Sequence, residues 1–433
     1  EPRPLEVRAV PEHPFMAGGE RSNLHVDAWQ TDVHLNPGPL GRDTRVRSTL
    51  LEGVCASVTF DSRGRIVTIC VGLEGPKLVR LDPKTLELLG FFPLPPRIPT
   101  SLSIFNDFAG GGYFYLDERD RAIIPTTTRA IWVVAASGDG FRLERVYDLR
   151  RHVRFGDKII SALPDWSGRI WFASTKGVVG WVEPGSGEVR ALHTGEEIAN
   201  SFAVDEDGGV YIVTARALYR FTAGPAGPQV DWAYAYENSG IAKPGQVHAG
   251  SGTTPTVMSE EHVAITDNAD PMNVVVLRRE DGGEVCKVPV FEQGASATDQ
   301  SLIATEDALI AENNYGYTGP TAVMFGATTR PGLARVDLDT CSVRWTSDEI
   351  APSVVPKLSA ATGLVYTYTK PGGIWQDPWY LTAIDFETGE TVFKRRAGSG
   401  LGFNNNYAPV TLGPDGSAYV GVLGGLVRLA DGG

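Results

Sequence analysis

The chain has 433 residues, 42% apolar and 21% charged, with 50 Gly and 29 Pro, a turn-rich globular composition that excludes a disordered chain. A net charge of −13 without a long Lys/Arg run argues against nucleic acid or an anionic membrane surface as the main partner. No run approaches the roughly 18 to 20 apolar residues of a membrane helix, so no membrane span is expected. The chain opens at Glu1 without an initiator Met, as expected after leader removal or trimming.

A ring of repeats accommodates this length, because each unit brings its own core. Alternating strands joined by tight Asp/Gly turns recur in chain order: SVTFDSRGRIVTI near 57–69, YFYLDERDRAIIP near 113–125, SALPDWSGRIWFA near 161–173 and SFAVDEDGGVYIV near 201–213. TPTVMSEEHVAIT near 254–266, SLIATEDALIAEN near 301–313, VPKLSAATGLVYT near 355–367 and APVTLGPDGSAYV near 408–420 complete the series. Most are followed by a second hairpin such as VRLDPKTLELL or TAIDFETGETVF. Period-two patterning makes each unit a four-stranded antiparallel blade. The predicted fold is all-β, an eight-bladed β-propeller, with 1–433 as one domain. No helical pattern interrupts the series, which removes doubly wound α/β folds and helical solenoids. The last unit holds only three strands, so an N-terminal strand within residues 24–34 is expected to complete it and close the ring. His25 and His34 would lie on that strand without a further role.

In the first hairpin a four-residue turn at 61–64 pairs Phe60 with Arg65 and so sets Cys55 opposite Cys70, where a disulfide is feasible. Cys286 and Cys341 fall in outer-turn regions of neighbouring repeats and form a second candidate pair, with four buried thiols as the alternative. Disulfides predict an oxidising compartment, secreted or periplasmic. No CxxC occurs, and zinc is not expected.

The outer turn resembles the D-x-x-T-G-x-x-x-W repeat of pyrroloquinoline-quinone-like propellers, best at Asp385, Thr388, Gly389 and Phe393, and at Asp337, Thr340 and Trp345. That resemblance implies architecture. The quinone dehydrogenases of that superfamily carry an adjacent Cys-Cys pair beside the cofactor, and no two cysteines here are neighbours. No pyrroloquinoline quinone is therefore expected. The VDEDGGVYI hairpin is also similar to the propellers that include calcium-dependent lactonases and strictosidine synthase-like proteins.

Chain direction separates the two faces of the disc. Tight turns occupy one face, and long polar segments such as GIAKPGQVHAGSGTT and ENNYGYTGPTAVMFGATTR occupy the other, where binding is expected. Asn106, Asp107, Asn200, Thr254, Asp267, Asn268, Gln300, Asn313, Asn314 and Asn405 should approach a central funnel, with Tyr315, Tyr317, Trp375, Trp379 and Tyr407 as apolar faces. Their oxygens suit a sugar or another hydroxylated ligand, or Ca²⁺ held by Asn200, Asp299 and Asn405; strand-end and turn roles are the alternative. His248 is a candidate general base, Asp299 a carboxylate for metal or proton transfer, and Lys357 a lysine on an inner strand that needs a partner or a wet channel. The leading reading is a propeller that binds a small or glycan-like ligand, with calcium-assisted hydrolase, lactonase or lyase chemistry as its catalytic form. A non-catalytic scaffold recognising a protein partner comes second, and a redox quinoprotein third.

Overall fold

Aspartates set the first inner hairpins. Asp61, Asp117 and Asp165 each accept the backbone N–H groups two and four residues on, then bond the arginine at the second of those positions, Arg65, Arg121 or Arg169. One side chain thus fills the turn's open donors and fixes where the strand reverses. Asp205 makes the same backbone bonds, to Asp207 and Gly209.

The computed structural model describes residues 2–51, 53–97 and 110–432. Among them the strands form eight sheets, seven of four strands and one with an added fifth. The innermost strands of blades one to eight are Val54–Phe60, Tyr115–Leu116, Ile159–Pro164, Ala203–Val204, Thr256–Val257, Ile303–Ala304, Lys357–Ser359 and Val410–Leu412. Blade one packs onto blade eight, with the Phe60 and Tyr419 rings 5.5 Å apart and the Tyr419 hydroxyl donating to the Pro83 carbonyl. The result is an eight-bladed β-propeller whose apolar core is divided into wedges between blades.

Outer turns lock neighbouring blades together. Trp345 of blade six donates its indole N–H to the Phe386 carbonyl of blade seven at 3.0 Å, and Trp232 of blade four does the same to Arg279 of blade five at 2.8 Å. Each indole lies over a glycine with positive φ, Gly389 or Gly282, where a Cβ would come within 2.6 Å of the ring. The repeat pairs glycine with an aromatic residue because the turn needs left-handed backbone and the neighbour needs the empty space.

Two expectations are corrected. The closing strand is Arg45–Leu50, antiparallel to Gly425–Ala430 at the outer edge of blade eight, and not residues 24–34. Its side chains are almost all exposed, so it lacks the apolar alternation that marks a half-buried strand. In the first hairpin Phe60 faces Ile66 rather than Arg65, and a bulge between Cys55 and Val58 removes the one-residue offset, returning Cys55 opposite Cys70. Both disulfides form: Cys55–Cys70 within blade one, and Cys286–Cys341 from the outer strand of blade five to the outer turn of blade six. No helix of the described residues is long and apolar enough to cross a membrane.

Candidate functional site

Residues 13–34 line the inside of the ring and make a floor. Their carbonyls accept successive N–H groups of the innermost strands: Arg21 from Phe60, Ser22 from Leu116, Ala28 from Val204, Trp29 from Val257, Thr31 from Ala304, Asp32 from Leu358 and His34 from Ala360. His13 Nε2 meets the Pro164 carbonyl of blade three at 2.9 Å. Short inner strands leave N–H groups bare near their tight turns, and this segment supplies the acceptors that burial requires. Val33 and His34 also pair in parallel with Leu358 and Ser359, adding the fifth strand to blade seven. Outside the floor, on the tight-turn side, lies a cleft of about 290 Å³ lined by Val10, Asp27, Trp29, Met258 and Glu306 among others.

A buried charge cluster sits on this floor. Asp32 receives Lys357 Nζ at 2.7 Å, His25 Nδ1 at 3.0 Å and the Ser301 hydroxyl at 2.6 Å. Burial pushes the Asp32 carboxyl up, but His25 and Lys357 together hold it below the ordinary carboxylate range. Burial pulls the Lys357 ammonium down, opposed by the charge of Asp32. Lys357 therefore faces a carboxylate partner at the floor.

Asp299 precedes Ser301 by two residues on the same inner segment, nearer the loop face. Burial raises its carboxyl to about 8, partly offset by the Val247 N–H. Its charge in turn raises the hydroxyls of Tyr113 in blade two and Tyr407 in blade eight, after the burial of each. Between the ordinary value of 3.8 and about 8 the folded state holds a proton that the unfolded chain has lost, so stability falls as pH rises through that window. Asp299→Asn, with no proton to lose, should flatten this dependence and exceed the wild type by on the order of 5 kcal/mol near pH 8, while matching it near pH 4. Urea midpoints at both pH values check this, and parallel curves would refute it.

The remaining amides brace the backbone. Asn200 donates to the Ser251 carbonyl, and Asn405 donates to Ser353 and Ala408. Asn313 donates to Ala295 and Pro331 and accepts the N–H groups of Ala297 and Tyr315. Asn268 donates to Asn238, Ser239 and Ile241, while Asp267 accepts from Ala269 and Asn273. Asn314 accepts the Asp299 N–H and donates to Glu312. Thr254 and Gln300 are buried. Trp379 stacks on Tyr368 in blade seven, their centroids 5.3 Å apart.

Asp299, Asn314 and Tyr407 thus share one region, beside Val247 and with the exposed His248 next along the chain. Tyr317 packs edge-on to Tyr407 at 5.2 Å. Trp375 is 70% exposed at the rim against Phe325. Asn106 and Asp107 lie outside the described residues. The floor residues His25 and Asp32, with Ser301, Tyr113 and Ser161, escaped the sequence reading. The available signal was NLHVDAWQTDVH, two histidines and two aspartates packed among apolar residues, which suits an interior polar cluster better than an exposed strand.

Comparison with solved structures places the fold. Quinohemoprotein alcohol dehydrogenase from Comamonas testosteroni superposes with a TM-score of 0.66 at 11% identity, over 96% of this chain and 80% of that one. BamB from Moraxella catarrhalis gives 0.55 at 11% identity, over 90% and 98%. The chain is a propeller of the architecture those proteins share. It belongs to the same family as an uncharacterized protein of Archaeoglobus fulgidus, to which it is 30% identical over 369 residues, 74% of this chain and 70% of that one. No protein-family model matches it.

Proposed function

We propose that this chain works outside the reducing cytoplasm, secreted or periplasmic, and binds a small hydroxylated, glycan-like ligand on the ring axis above the floor, a place we take as an axial chamber, with Asp299 as the central hydrogen-bonding group. One observation carries this reading. His25 Nε2 and Ser161 Oγ are buried without a hydrogen-bond partner, Ser161 being the bridge partner of Tyr113, and the surroundings of Asp299 raise its carboxyl to about 8, favouring the proton form. Protein interiors pair nearly all such groups, so several on one axis mark a place where a ligand or water hydroxyl completes them. A protonated carboxyl both donates and accepts, as a sugar hydroxyl requires.

This reading favours a neutral ligand over calcium. Of Asn200, Asp299 and Asn405, only Asp299 can carry charge, and its surroundings favour the proton form, whereas Ca²⁺ seeks six to eight oxygens with several carboxylates. The two disulfides support the compartment.

Calorimetry and thermal shift against mono- and disaccharides, sugar lactones and Ca²⁺ test the proposal. At least one sugar or lactone should raise the melting temperature, and Asp299→Ala should weaken that ligand about 10- to 100-fold without unfolding the protein. A panel with no binder, or an alanine variant that binds equally well, would refute it.

A second reading, recognition of a protein partner, is favoured by Phe325 and Trp375, 60% and 70% exposed with centroids 5.0 Å apart on the loop-face rim.

A further inference from the structure

We propose that His25 is a catalytic base: its Nε2 takes a proton from a hydroxyl in the axial chamber, and Asp32 is the residue that positions it. The inference rests on the reading of that chamber as a ligand site.

Location comes first. The His25 ring reaches Ser301 Oγ of blade six at 3.0 Å and stacks at 22° against Tyr113, which leads into the inner strand of blade two, with centroids 6.4 Å apart. In an eight-membered ring those blades stand opposite each other, which puts the His25 ring inside the circle of inner strands, between them.

Orientation follows from the partners. Nδ1 faces both Asp32 oxygens, at 3.0 and 3.1 Å, and an ionised Asp32 makes Nδ1 the protonated nitrogen. The lone pair is then on Nε2, which is buried and has no hydrogen-bond partner. Lys357 holds the other side of the carboxylate at 2.7 Å, so Asp32 cannot swing away from the ring. A carboxylate on Nδ1 fixes the tautomer and holds the ring with Nε2 turned away from Asp32. Asp27, also on the floor segment, and Asp299 in the chamber wall are the further carboxylates near this cluster.

The chemistry balances on this chain's own groups for an ester or lactone ligand. Nε2 removes a proton from water as the water oxygen bonds to the carbonyl carbon. The acyl C–O bond then breaks, and the departing alkoxide takes the proton back from the imidazolium. A free acid and an alcohol result, and His25 returns to its starting form.

Carbethoxylation by diethyl pyrocarbonate, which modifies unprotonated imidazole, tests this residue by residue through peptide mass spectrometry. In the native protein at pH 7, His25, although buried, should be modified measurably, more slowly than the exposed His193. His13, buried and bonded at both ring nitrogens, should stay unmodified. Asp32→Asn should slow His25 at least about tenfold and leave His193 unchanged. Ser301→Ala, which leaves the Asp32–Lys357 pair intact, should keep His25 reactive and serves if the Asp32 variant does not fold.

Native His25 as inert as His13 would overturn the proposal, and so would a rate indifferent to Asp32→Asn. The labelling uses no ligand, so its result separates from that of the sugar panel. Ligand binding with inert His25 removes the base and leaves the chamber. Reactive His25 with no binder supports the accessible base and removes the glycan-like ligand.

Discussion

Asp32→Ala should destabilise the protein by about 3 to 5 kcal/mol, because it strands the Lys357 ammonium in the interior. Lys357 and Asp32 are both fully buried, and the same substitution removes the carboxylate bonds of His25 Nδ1 and the Ser301 hydroxyl. The loss reflects a broken pair rather than the worth of the pair itself, so removing both charges should recover most of it. In a double-mutant cycle, Asp32→Ala combined with Lys357→Met should lie closer to wild type than Asp32→Ala alone. Purely additive losses in denaturant midpoints would contradict the ion pair. Since Asp32 is held below its ordinary value, its stabilisation is present above about pH 4 and is lost as the pH falls through the folded-state value. The wild type should therefore be acid-labile in a way the double variant is not.

Replacing Cys286 and Cys341 together with serine should cost about 4 kcal/mol, the loop-entropy value for partners 55 residues apart. The corresponding change at Cys55 and Cys70, 15 residues apart, should cost about 3 kcal/mol. The first pair joins two blades, whereas the second lies inside one, so only the first loss should also weaken protection of the blade five to six boundary in hydrogen exchange. Equal midpoints for the two double variants, with unchanged exchange at that boundary, would contradict this.

The blades were legible because their information is local: an aspartate turn flanked by alternating apolar residues describes one hairpin wherever it occurs. Register was less legible. The bulge after Cys55 compensates a turn one residue longer than expected, so the correct cysteine pair followed from an incorrect alignment of Phe60. The floor left little trace, because most of its bonds run from backbone carbonyls, which carry no side-chain signature. Arg45–Leu50 was hidden for the opposite reason, since an outer strand wet on most positions resembles a loop. At the candidate site, Asp299 stood out as a carboxylate at the head of an inner strand. The surrounding asparagines could be counted but not assigned, because an amide that braces a strand end has the same letter as one that meets a ligand. Asn405 and Asn200 bond backbone carbonyls through their amide N–H groups, with Asn405 Oδ1 left buried and unpartnered, while His25, dismissed as part of a strand, faces Ser301 inside the ring.

The latch between Arg45–Leu50 and Gly425–Ala430 joins segments almost 400 residues apart. Until the later segment has been synthesised, the earlier one has nothing to pair with, and blade eight cannot be assembled from nearby sequence. Ring sealing is thus expected to follow, and to be slower than, hairpin formation within a blade. A circular permutant that joins residue 433 to residue 1 would leave 47 residues between these two strands instead of 374, turning that distant encounter into a nearer one while keeping the same final architecture.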